Sequence, residues 1–220
     1  MATDTFATLG KQEAIRQLFE GTKFKPFEEP VFFHSPERSY ITTSTKSFLE
    51  GIDFDLVYFP LKHLGYKCVL ATTAELFAAM SHPRTLSICL GVSAKLDFEH
   101  VKELWSGVLA AAREYGYRSL SLDIQPSKNG LAISVSATGE TTELMAKRRS
   151  VVHSKDLICV SGALGAAFLG QSLLESEKAR FENGAVITEV LEKYKMFVGA
   201  YLKPEMSASI VDHLEEAEVY

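Results

Sequence analysis

Stretches in which every second residue is apolar alternate with two longer helical stretches through the middle of this chain, and this order constrains the fold more than any other feature. Residues 84–92 show the clearest alternation, and residues 120–124 and 131–135 repeat it. Successive side chains of a strand point to opposite faces, so each stretch predicts a strand with one buried face. β-branched residues after Ser39 predict an earlier strand.

Two helices are predicted between these strands. Apolar residues recur every third or fourth position after Pro60 and again after Asp97, which suits a helix N-cap. Pro83 and Gly116 oppose their continuation. The order β, α, β, α, β, β predicts an α+β domain whose helices cover one face of a mixed or antiparallel sheet.

Three further segments carry local signals. Residues 126–130 contain Asn129-Gly130, which predicts an antiparallel hairpin between the last two strands. Residues 157–160 predict one more strand, and the following glycine-bounded turn leads into a helix. From these signals the chain divides into an N-terminal helix and irregular segment (1–38), an α+β domain (39–180) and a helical C-terminal extension (181–220).

Composition narrows the classes of protein that fit. The chain has 220 residues and a net charge of -5, which argues against a general nucleic-acid binder. No apolar run approaches the ~18 residues needed to span a bilayer, and no signal peptide is visible. Cys68, Cys89 and Cys159 are far apart in apolar stretches, so they predict buried thiols in a reducing compartment. We therefore expect a cytoplasmic protein.

Isolated acidic residues and one glycine turn are the candidate ligand groups. Asp123 ends a core strand, where it is either a ligand or a turn cap. Glu75 adjoins the apolar stripe of its helix, so it needs a partner or lies at the boundary with its carboxylate in water. The turn Ser161–Gly165, with Gly162, offers backbone N–H groups to an anion, or is simply a tight strand-to-helix connection.

The remaining polar residues give weaker indications of a ligand site. Lys147-Arg148-Arg149, with His153 nearby, either binds phosphate oxygens or forms a solvated loop. The six histidines show neither the i, i+4 spacing nor the Cys/His pairs of a metal site, which argues against zinc, and Gly-x-Ser-x-Gly is absent. These residues alone predict no particular reaction.

A series of short sequence motifs follows in a fixed order along residues 40–220. They are Ser44-Thr45-Lys46, Leu49-Glu50-Gly51-Ile52-Asp53-Phe54, His63-Leu64-Gly65-Tyr66-Lys67, Tyr115-Gly116, Ile133-Ser134-Val135, Gly139-Glu140, Asp156-Leu157-Ile158-Cys159-Val160-Ser161-Gly162, Leu164-Gly165-Ala166-Ala167 and Tyr201-Leu202-Lys203-Pro204-Glu205. The series resembles the amino-terminal domain of thiamine-monophosphate kinase, of the aminoimidazole-ribonucleotide-synthase-related superfamily. The resemblance implies a domain that dimerises through its sheet, with Mg-ATP at the interface.

The chain departs from that family at the family's acidic motifs. The Gly-Asp-Asp-Ala-Ala loop falls near Glu28 and Glu29, without its glycine, and the aspartate of a Thr-Asp pair becomes Lys46. The acidic helix motif retains only Glu75, and Gly-Gly-Asp-Thr-Thr retains only Asp123. Since the core motifs remain, the sequence favours a retained fold with an altered function.

Two functions follow from the resemblance. The first is a catalytically degenerate domain that acts as a dimerising interaction or regulatory module, with no cofactor. The alternative is an ATP- and Mg-dependent thiamine-monophosphate kinase, or an N-terminal fragment of one. For the alternative, the resemblance implies metal ligands and cofactor-binding residues at Asp123, Glu75, Glu28 or Glu29, Thr45, Arg149 and Gly162.

Two structural expectations complete the prediction. The partner is expected to be a second copy or a related protein, because the sheet should leave an apolar face uncovered by helices. Lys46 should lie within about 4 Å of Asp123 or Glu75, since a cation is needed where the family binds a metal ion.

Overall fold

The computed structural model describes residues 9–24, 39–147, 154–183 and 192–217. Within them one sheet contains β1 (Ser39–Leu49), β2 (His82–Ser93), β3 (Ser119–Ser127) and β4 (Ala132–Thr142). The helices are α1 (Lys11–Phe19), α2 (Leu61–Ala78), α3 (Phe98–Glu114), α4 (Glu143–Lys147), α5 (Ala166–Glu182), α6 (Lys195–Leu202) and α7 (Ile210–Glu216). The predicted α+β class is confirmed.

The sheet is mixed, with the strand order β1-β4-β2-β3. β2 and β3 pair in parallel through the connection that contains α3, and β4 runs antiparallel to both β1 and β2. Because β2 lies between β3 and β4, the predicted hairpin of these two strands is wrong.

Contacts at the end of β1 explain where β4 goes. The Leu131 amide donates to the Glu50 carboxylate at 2.6 Å, and the Glu50 amide donates to the Leu131 carbonyl at 3.0 Å. Gly130 adopts φ 93°, so this turn suits glycine. Residues 128–131 must cross two strand spacings, roughly 10 Å in total. Four extended residues reach about 13 Å, so the crossing is possible. The turn therefore directs β4 to β1 and past β2.

Helices α2 and α3 cover one face of the sheet with their backbones in close contact. A Cβ on Gly107 would lie 1.8 Å from the Lys62 carbonyl oxygen, and a Cβ on Gly65 would lie 2.1 Å from that of Leu104. The two glycines therefore permit the helices to cross closely.

The start of α3 and its contact with α1 follow from three side chains. The Asp97 carboxylate accepts from the His100 amide at 3.0 Å, which confirms the predicted N-cap. Trp105 on the same helix is buried and donates its indole N–H to the Leu18 carbonyl at 2.9 Å. This bond attaches α1 to the core.

The face of the sheet that lacks helices is polar, so the predicted apolar face is wrong. The apolar residues of the alternating stretches all pack into the core below α2 and α3; they are Leu86, Ile88, Leu90, Val92, Leu120, Leu122, Ile124, Leu131, Ile133 and Val135. Apolar residues occupy every second position of each strand, and the pairing register brings these positions to the same side of the sheet. Serine and threonine occupy most positions on the other side.

Two further expectations are corrected by exposure. Residues 157–160 form no strand, and Leu157 is 90% exposed. A strand needs a hydrogen-bonding neighbour, and the described ranges place none beside this segment. Cys68 is buried as predicted, whereas Cys89 and Cys159 are exposed.

Helices α5, α6 and α7 contribute Leu174, Val198 and Val211 to the core, and polar side chains add further contacts. The Lys67 Nζ lies 3.7 Å from the centre of the Tyr201 ring on α6. Lys178 on α5 contacts the Asp55 carboxylate at 2.6 Å. Burial lowers the pKa of Lys67 to about 8, although its cation–π contact favours the charged form.

Candidate functional site

Lys46 on β1 forms an ion pair with Glu75 on α2. The Lys46 ammonium donates to the Glu75 carboxylate, and the Ser44 hydroxyl donates to the other carboxylate oxygen at 2.5 Å. The Lys46 donation, followed by that of Ser44, lowers the pKa of Glu75. The prediction that Lys46 would contact Asp123 or Glu75 is confirmed for Glu75.

Strand and helix periodicity bring these three groups together. Ser44 and Lys46 are two positions apart on β1, so both point toward α2. Ser44 is buried, whereas a third of the Lys46 side chain is exposed. On α2, Leu76 enters the core and the adjacent Glu75 lies at the helix boundary, with half its side chain in solvent. The site is therefore a boundary site open to water.

Asp123 lies on the opposite face of the sheet. It pairs in register with Cys89 on β2, which pairs with Ser134 on β4, which pairs with Ser47 on β1. Directly paired residues share a face, and Ser47 points away from its neighbour Lys46. One ion could not be bound by Asp123 and Glu75 together within one protomer. Asp123 accepts from Gln125 at 3.0 Å and has a further interaction.

Thr45 belongs to an array of hydroxyl side chains on the same helix-free face. Its hydroxyl is 3.1 Å from that of Ser136, and the Ser47 and Ser134 hydroxyls are 3.0 Å apart. We call this surface the hydroxyl face; from register it comprises Thr43, Thr45, Ser47, Thr85, Ser87, Ser119, Ser121, Ser134, Ser136 and Thr138. Its side chains are small, so a flat partner surface could approach closely.

The other predicted site residues are not gathered at Glu75. Gly162 has φ 81° and lies in an exposed turn before α5, whose first residue is Ala166. The left-handed φ explains the glycine without a ligand. Glu28, Glu29, Arg148, Arg149 and His153 lie outside the described residues.

One cluster was not predicted from the sequence. His82 at the start of β2 lies near Asp212 and Glu215 on α7. These carboxylates are 130 or more positions from His82 along the chain, so local ligand spacing gave no signal. The i, i+3 spacing of Asp212 and Glu215 indicates only a shared helix face.

The comparisons with known proteins agree with this fold. A family model described as AIR synthase related protein, N-terminal domain, matches residues 28–141. The chain belongs to this AIR synthase related family. The match contains β1, β2, β3, all of β4 except Thr142, and the Lys46–Glu75 pair.

Curated relatives of this family member are thiamine-monophosphate kinases. The enzyme from Bacillus subtilis is 25% identical over 74% of this chain and 48% of its own length. The one from Aquifex aeolicus is 29% identical over 79% of this chain and 54% of its own length. The chain therefore spans about half the length of these relatives.

A solved structure supports the fold independently. The thiamine-monophosphate kinase from Stenotrophomonas maltophilia superposes with a TM-score of 0.69 and 19% identity, over 83% of this chain and 55% of that one. At this identity the likeness shows a shared AIR-synthase-related fold. In the part of the chain that the structure describes, no helix has the length and apolar character to cross a membrane.

Proposed function

We propose that this chain is a catalytically silent thiamine-monophosphate-kinase-like domain that acts through protein contacts. The observation that carries the proposal is the contact of Lys46 with Glu75. The resemblance implies that one metal-binding aspartate of the family aligns with Lys46 and an acidic residue aligns with Glu75. An ammonium at this point neutralises Glu75 and repels Mg²⁺, by roughly 1 kcal/mol per pair of unit charges at 4 Å in water and more where water is excluded.

A second candidate is an ATP- and Mg-dependent thiamine-monophosphate kinase, or part of one. The names of the relatives favour it. Asp123, Glu75 and Glu28 or Glu29 would bind metal ions in this case, and Arg149 would bind phosphate. Since Asp123 and Glu75 lie on opposite faces of the sheet, they would serve different ions or groups of different protomers.

The partner we propose is a second copy of the chain or a related protein, bound through the hydroxyl face. Leu49, on the same side of β1, is 42% exposed and Ile41 is 49% exposed. Such a surface has an apolar margin around a flat polar centre. A heterodimer with an active kinase would use the same surface and would be detected by co-purification.

Calorimetry with Mg-ATP separates the two candidate functions. For a silent domain, we expect no magnesium-dependent Kd below about 10 μM, roughly 7 kcal/mol of binding free energy. Lys46→Asp should not restore binding, because the Gly-Asp-Asp and Gly-Gly motifs are missing as well. Lys102→Asp, on an exposed position of α3, controls for the change of charge.

A tighter magnesium-dependent Kd in the wild-type chain would overturn the silent-domain proposal. Phosphate transfer to thiamine monophosphate at a measurable rate would do the same. Binding that appears only in Lys46→Asp would assign the loss of function to Lys46 alone.

A further inference from the structure

Three potential metal ligands from two distant segments converge beside the start of β2. One imidazole nitrogen of His82 and one oxygen each of Asp212 and Glu215 lie within 4.8 Å of one another. Asp212 and Glu215 occupy one face of α7, and His82 belongs to the sheet. The cluster therefore joins the C-terminal helix to the α+β domain.

The spacing differs from that of a direct hydrogen bond. His82 Nδ1 lies 3.9 Å from Asp212 Oδ1, and Nε2 lies 3.7 Å from Glu215 Oε1. Ligand atoms of a tetrahedral zinc ion are roughly 3.4 Å apart, since each lies 2.0–2.2 Å from the metal. A direct histidine–carboxylate hydrogen bond is shorter, since His100 Nδ1 lies 2.6 Å from Asp97 Oδ1. Since these two distances use different imidazole nitrogens and a metal is bound by one, the three ligand atoms, which lie within 4.8 Å of one another, close by up to about 1.4 Å to hold an ion.

The ligand types indicate the class of metal. Two carboxylates carry two negative charges, which a divalent cation neutralises. Imidazole nitrogen favours zinc, nickel or cobalt over magnesium, which prefers oxygen ligands. His82 and Asp212 are partly exposed, so water could complete the coordination.

From this geometry we infer that His82, Asp212 and Glu215 form a binding site for a divalent transition-metal ion of the zinc type, which fastens α7 to β2. The site is separate from the Lys46–Glu75 pair and from any Mg-ATP site. It does not depend on whether the chain is silent or active as a kinase.

Zinc titration of the full chain, with any purification tag removed, tests the inference. We expect one equivalent of Zn²⁺ to bind with a Kd below about 10 μM, and Co²⁺ to give visible absorption typical of a protein site. His82→Ala should weaken binding at least tenfold. His100→Gln is the matched control, because glutamine still serves a capping box, and it should bind as the wild type does.

The double variant Asp212→Asn/Glu215→Gln provides a test that keeps side-chain size. It should also weaken zinc binding at least tenfold while circular dichroism stays unchanged. Retained zinc affinity in either the histidine or the double variant would overturn the inference. Loss in His213→Gln, whose imidazole lies 3.4 Å from the Ser209 hydroxyl, would also overturn it, because the ligand would then be the wrong histidine.

Discussion

At the scale of single residues, the Lys46–Glu75 pair makes a prediction about pH. The lowered pKa of Glu75 means that the folded state stabilises the carboxylate relative to the unfolded chain. This stability is present above the unfolded pKa and is lost as pH falls through the folded one. Lys46→Met should therefore lower the urea midpoint at about pH 7, and the difference should decrease from about pH 4 toward pH 3 as Glu75 begins to be protonated.

A matched variant controls for the loss of a lysine. Lys102→Met removes the same charge from a more exposed pair with Glu99, whose N–O distance is 3.6 Å, so its effect at neutral pH should be smaller. An equal effect of Lys46→Met at both pH values would contradict the ion-pair account. NMR titration of Glu75 provides a direct check, since its pKa should rise toward the ordinary value in the Lys46 variant.

Part of the site could be predicted from the sequence, because its residues align with motifs of the family in their expected order. Lys46 and Glu75 fall on two acidic motifs of that order, so their proximity followed from the resemblance. The separation of Asp123 from Glu75 was not predicted, because it depends on which face of the sheet each side chain occupies. His82 and Glu215 were not predicted as a pair, because only tertiary packing brings them together.

At the scale of elements, the crossing of α2 and α3 depends on glycine. Gly107→Ala would add a Cβ 1.8 Å from the Lys62 carbonyl oxygen. Alanine gains up to about 1 kcal/mol of helix propensity, but the backbone contact must open, at a cost of about 3 kcal/mol. We expect a net loss of about 2 kcal/mol in the free energy of unfolding, measured by denaturant melts.

Gly199→Ala on α6 is the matched substitution, because a Cβ there meets nothing within 4 Å. It should be neutral or stabilise the fold by up to about 1 kcal/mol. If both variants behaved alike, the close crossing of α2 and α3 would not limit the residue at position 107.

The elements themselves were predictable where local signals were strong. The helices after Pro60 and Asp97 and the alternating strands appear where their periodicity placed them. The pairing of strands was not, because the Asn129-Gly130 signal favours a local hairpin, whereas Glu50 holds the end of that turn at β1. The strand expected over 157–160 depended on a neighbour that local sequence cannot supply.

At the scale of the whole molecule, the hydroxyl face makes the prediction of self-association testable. Ser136 lies near its centre, on β4 between β1 and β2, and its side chain is exposed. Ser136→Arg should convert the proposed homodimer to a monomer at micromolar concentration, because a long charged side chain would hold two flat surfaces apart and lose hydration if buried. Sedimentation velocity or light scattering measures the change.

Ser106→Arg supplies the matched control for that experiment. Ser106 is exposed on α3, on the helix-covered side of the molecule, so the same substitution should leave the mass unchanged. Both variants alter solvent-facing positions, and circular dichroism should therefore match the wild type. If the wild-type chain were a monomer without any partner, the dimer proposal would fail. If both arginine variants dissociated the dimer, the interface would not be the hydroxyl face. Dissociation by Ser136→Arg alone would place it there, because the two substitutions differ only in the side of the sheet that carries the charge.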